Sequence, residues 1–160
     1  MTRWFALCLA VAALTGCYVQ LPSEPQAALP EPTSGTHAQQ QEAAHAALGY
    51  LTMIDHGQFE QTWDRSGPAL QDISNRLAWV NMLEVTHKTL GPTRPRQVAG
   101  LDFSTQVDTR APPGEYVTVQ FRSGTEQAST TEQVVMQKHD DQWKIVGYFI
   151  TRRANLQASG

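Results

Sequence analysis

The apolar positions change their period once along the chain, and that change divides it into helices followed by strands. Ala44, Ala47, Leu48, Leu51 and Ile54 recur at the spacing of one helical face, which predicts a first helix ending at Asp55-His56-Gly57. Phe59, Thr62, Trp63 and Ser66 share one side of a short second helix that Gly67-Pro68 breaks. A third helix, starting near Pro68 or Ser74, carries Leu77, Val80, Leu83, His87 and Leu90 toward the stop at Gly91-Pro92. Beyond it the period is two. Val117, Val119 and Phe121 alternate with Tyr116, Thr118 and Gln120, and Val134 and Met136 alternate with Val135 and Gln137. Trp143, Ile145, Gly147 and Phe149 alternate with Lys144, Val146, Tyr148 and Ile150, and Asp140-Asp141 reads as the hairpin turn before them. Arg96 to Ser104 makes a weaker strand in which Gly100 suggests a bulge. Helices first and consecutive antiparallel strands second predict an α+β domain, helices on one face of a curved four-stranded sheet. Both faces of the last strand are apolar, so it is expected to be covered on both, with Trp143 and Phe149 at the structural centre.

The N-terminal residues follow neither period. Arg3 precedes an apolar stretch from Trp4 to Leu14, and Leu14-Thr15-Gly16-Cys17 closes it. The stretch is shorter than the roughly 20 residues a membrane span needs. It resembles the signal peptide and lipobox of a bacterial lipoprotein, residues 1–16, with cleavage between Gly16 and Cys17 and lipidation at Cys17. That resemblance implies a covalent anchor of two or more acyl chains, enough for stable attachment where a single chain is marginal. Tyr18, where Asp would favour inner-membrane retention, points to the outer membrane facing the periplasm. Residues 17–38 then form a tether rich in Pro, Ala and Gln, with Pro22, Pro25, Pro30 and Pro32 spaced through it. Such a tether reaches about 25 Å as a coil and about 60 Å if it is polyproline-like. Residues 39–152 make the single domain, and residues 153–160 read as a disordered tail.

Composition narrows the chemistry. Cys8 leaves with the leader and Cys17 carries lipid, so the domain holds no thiol for a disulfide, a nucleophile or a metal site. The net charge of −3 becomes more negative when Arg3 is removed. Arg94-Pro95-Arg96 and Arg152-Arg153 are too small to make a nucleic-acid surface of such a chain. His37, His45, His56, His87 and His139 include no pair at metal-ligand helical spacing, so no metal and no cofactor is expected.

Asp55-His56-Gly57-Gln58-Phe59 with Thr62-Trp63, Trp79, Leu90-Gly91, Arg96, Gly114-Glu115-Tyr116-Val117 and Trp143 through Ile150 resemble the bacterial domain of unknown function 4019 family. The resemblance implies a small exported domain of the cystatin-like cone, or nuclear transport factor 2-like, kind. The chain departs from the family pattern at His87, where Arg is usual, and at Ser123-Gly124, where an aromatic residue is usual. Cones of this kind often hold a pocket at their open end. A carboxylate among Asp55, Asp64 and Asp102 with a hydroxyl from Tyr50, Tyr116 or Tyr148 would be its catalytic form. The reading preferred here has no catalytic residue: a lipid-anchored module that binds an unidentified envelope protein. A small-molecule binder is the alternative. Trp63, Trp79, Tyr116 and Tyr148 are the residues expected to line its pocket or interface.

Cys17→Ser should abolish processing to a membrane-bound mature form. Fractionation checks this, and a variant that still partitions with membranes at the mature mass removes the lipoprotein assignment.

Overall fold

The computed structural model describes residues 28–91, 95–125 and 128–154. The expected leader and lipobox, the first half of the expected tether and residues 155–160 lie outside these residues.

Four helices precede four strands: α1 His37–Asp55, α2 Phe59–Asp64, α3 Pro68–Gln71, α4 Arg76–Leu90, then β1 Gln97–Ser104, β2 Tyr116–Gly124, β3 Ala128–His139 and β4 Gln142–Ala154. The chain is therefore α+β, and its sheet is antiparallel throughout in the order β1-β2-β3-β4.

Local chemistry sets the helix ends. Thr36 and Gln39 form a reciprocal capping box that starts α1 inside the stretch expected to be tether. Thr33 also pairs with Phe103 through both backbone groups, at 2.7 and 2.8 Å, so the ordered chain reaches β1 before the helix begins. Asn75 caps α4 by accepting the Ala78 N–H at 2.9 Å. Gly57 (φ 69°) and Gly91 (φ 72°) end α1 and α4 in the left-handed region. Asp140 and Asp141 both take positive φ, 50° and 57°, as a two-residue hairpin turn requires.

Two helical faces are rotated from the expected ones. In α1 the buried residues are Ala43, Ala47, Tyr50, Leu51, Met53 and Ile54, while Leu48 is 41% exposed. In α4 Trp79 and Leu83 are buried and Leu77 is 70% exposed. The tyrosine and tryptophan rings outweigh the leucines because they carry more apolar area to the interface. The core closes between these helices and the sheet face bearing Val117, Val119, Phe121, Val134 and Met136.

The irregularity expected at Gly100 is present between Val98 and Gly100. A second one decides more. Met136 pairs with Ile145 and Val135 with Gly147, so Val146 is an extra residue in β4. Trp143 and Ile145 face the core before it, but Tyr148 takes the core side after it and Phe149 turns out. The expectation that Phe149 shares the buried face of Trp143 is therefore corrected: Phe149 is 58% exposed. A strict period of two fails wherever one strand carries a surplus residue.

This geometry predicts that Ile145→Ala costs about 2–5 kcal/mol, whereas Phe149→Ala stays within about 0.5 kcal/mol of wild type. Urea unfolding of the two variants checks it, and equal losses would mean that β4 runs without the bulge.

Candidate functional site

Two features outside the apolar core carry chemistry, one on each face of the sheet. The first lies where α1 ends. Arg96, just before β1, is held by the Asp55 carboxylate at 2.6 and 2.8 Å and by the Glu132 carboxylate at 2.5 and 3.0 Å. Tyr148 donates its hydroxyl to Glu132 at 2.5 Å. Burial alone would lower the guanidinium pKa. The hydrogen bonds that Arg96 donates to the Asp55 and Glu132 carboxylates, with their charges, outweigh burial and hold it above its already high value. Burial, reinforced by the neighbouring Glu132 charge, pushes the Tyr148 hydroxyl well above its ordinary value. Both carboxylates and the phenol thus spend their hydrogen bonds on one another and on Arg96. The cavity beside them, reached past Ile54, His87 and Thr130, measures about 30 Å³, room for about one water.

The second feature is on the opposite face. The segment between β1 and β2 folds over the sheet, and Tyr116, buried there, donates its hydroxyl to the Pro112 carbonyl at 2.6 Å. Burial raises its pKa. This segment makes one wall of a groove, and Ala69 and Ile73, in and just beyond α3, make the other. The floor is Thr118, Gln133, Val135 and Gly147, with Val146 and Phe149 beside α3. The cavity measures about 700 Å³.

Of the four residues expected to line a pocket or interface, Trp79 and Tyr148 belong to the one apolar core, Trp63 packs against it, and Tyr116 lies outside it on the other face of the sheet. Trp79 is buried among the helices, its indole N–H on the Thr62 hydroxyl at 2.8 Å. Trp63 is half-buried against the same core. Tyr148 belongs to the charged cluster and Tyr116 to the outer groove. Of the carboxylate and tyrosine candidates, Asp55 and Tyr148 are brought together through Glu132 and Arg96. Asp64 instead pairs with Arg76 on the surface, Asp102 is exposed on β1, and Tyr50 donates to the Arg65 carbonyl at 2.6 Å. Patterning did not single out Glu132. Its signal is the one acid in the core-facing register of β3, two residues from Val134. Among the described residues no group of three His, Cys, Asp or Glu is placed to hold a metal ion.

The family model described as a protein of unknown function, DUF4019, matches residues 46–148, and the chain belongs to that family. The match begins within α1 and ends at Tyr148, so it spans Asp55, Arg96, Glu132 and most of the groove. No curated protein matches the chain.

Replacing Arg96 with Met leaves two carboxylates facing each other, Glu132 with a side chain only 4% exposed. Breaking such an ion pair from one side should cost about 3–5 kcal/mol. Adding Glu132→Gln should return part of that loss. Chemical denaturation of the single and double variants measures both, and a harmless Arg96→Met would show that the cluster is not structural.

Proposed function

We propose that this chain is a lipid-anchored envelope protein, held through Cys17 on the periplasmic side of the outer membrane, that acts by binding rather than by catalysis. In this reading the helices and sheet form a cystatin-like cone, and recognition uses the outer face of the sheet rather than the mouth of the cone. The observation that carries it is the groove of about 700 Å³ beside Phe149 and Ile73, which are 58% and 82% exposed. Its volume lies in the range of small-molecule sites, about 300–1,000 Å³. Large side chains left in water around a concavity gain apolar burial when it is filled. The Arg96 cluster supports the same reading from the other side, because its acids are hydrogen-bonded and the space next to them is water-sized.

A second reading, docking of an envelope protein, draws on the apolar surface of α4, where Leu77 and Val85 are 70% and 65% exposed. Both readings place the working surface on the folded domain, at the end of a tether that lets it stand off the membrane.

Phe149→Asp should leave stability within about 0.5 kcal/mol yet remove what the protein binds. Wild type and variant, isolated from native envelopes and compared for co-purifying lipids, metabolites and proteins, provide the test. Identical bound material in the two would overturn a function based on the outer groove.

A further inference from the structure

The two edges of the sheet are not alike. β1 and β4 are its outer strands. The edge of β1 is guarded: Thr33 pairs with Phe103, and the ladder is irregular between Val98 and Gly100. A covering segment and a bulge are common ways of keeping an edge from recruiting another strand. On β4, Ser66 forms a parallel bridge to Ile145, and Gly67 donates its N–H to the Ile145 carbonyl at 2.9 Å. Beyond Ile145, among the described residues, the β4 backbone bonds only to β3. From Tyr148 to Arg153 this leaves about 20 Å of strand with its outward N–H and C=O groups unpaired.

Apolar side chains flank that open stretch on both faces. Phe149 and Ile73, both exposed, stand together on the outer face. On the helical face Ile150 is half-buried and lines a cavity with the exposed Val85. An unpaired edge between exposed apolar groups is a template for one more strand. We infer that this strand is β4 of a second copy, added antiparallel about Ile150, so that two sheets join into one. A two-fold axis there sets Phe149 of each copy opposite Thr151 of the other, an aromatic residue against a β-branched one. It also sets Arg152 and Arg153 opposite Tyr148 and Gly147. A parallel arrangement would instead align the arginines of the two copies, and like charges facing across strands are unfavourable. The antiparallel pair is isologous and closes at two copies. A stable dimer buries about 800 Å² per partner, more than a bare strand edge offers. Ile73, Phe149 and Val85 add apolar area on the two faces of the joint.

Cysteine cross-linking tests this in the full chain with Cys8 and Cys17 both replaced by Ser, so that an introduced thiol is the only one. Residues opposite each other in an antiparallel pair have Cα atoms about 4.5–5.5 Å apart, a distance a disulfide spans. Chains carrying Phe149→Cys, mixed with chains carrying Thr151→Cys, should cross-link on mild oxidation at least tenfold faster than chains carrying Val98→Cys on β1. In sedimentation the unmodified strand should give a concentration-dependent dimer, and Thr151→Lys should weaken it at least tenfold. Thr151 is exposed and lies outside the groove lining, so circular dichroism of that variant should match the parent. A monomer at every concentration overturns the inference. So does cross-linking at Val98 as fast as at the β4 positions, or an association that Thr151→Lys leaves intact.

Discussion

Opposite Val135 and Met136, strand β4 offers Ile145, Val146 and Gly147, and the surplus residue turns every later side chain to the other face. Without it Tyr148 would point away from Glu132, and Phe149 would enter the core. With it, Tyr148 closes the charged cluster on the helical side, while Gly147 and Phe149 shape the groove on the other. Both candidate features depend on this one backbone irregularity. A bulge also twists and bends its strand, and here the neighbouring chain fits that bend closely. Gly67 donates its N–H to the Ile145 carbonyl at 2.9 Å, and a Cβ on Gly67 would meet Val146 at 3.0 Å.

The charged cluster ties together parts of the chain that hydrophobic packing alone would leave free to slide. Arg96 bridges the C-terminal end of α1 to β3, and Tyr148 adds β4. Its cost is the desolvation of three ionised groups, and its return is directional: a bidentate fork on each carboxylate admits one arrangement. Arg is suited to that task because its planar donors match two carboxylates at once, which an ammonium cannot do. The cluster thereby fixes where β1 starts relative to the helices, at the end of the sheet where β3 also begins. The groove lies on the opposite face, where substitutions do not touch this lock.

Charge distribution separates the roles of the two faces. On the helical side the ionised groups near the sheet are consumed internally. On the outer side the charged pair sits at the rim and leaves the floor apolar with two neutral polar groups. A chain with a net charge of −3 thus keeps the floor of this groove uncharged. Its own packing supplies the walls, since Tyr116 holds the covering segment by its bond to Pro112.

Much of the fold was legible in the sequence because its causes are local. The change of period, the Gly57 and Gly91 stops and the Asp140-Asp141 turn all act within a few residues, and the structure places elements where they say. The rotated faces of α1 and α4 were less legible, since either set of apolar residues fits a helix and only the partner surface chooses between them. The Val146 bulge could not be read at all: Trp143 to Ile150 is apolar on both faces, so either register fits it, and the surplus residue exists only relative to β3. The site is of the same kind. Asp55, Arg96, Glu132 and Tyr148 are far apart in the chain, and each looks ordinary in its own segment. Pairing of strands brought them to one end of the sheet, and the cost of burying an unpaired charge is what makes their meeting specific.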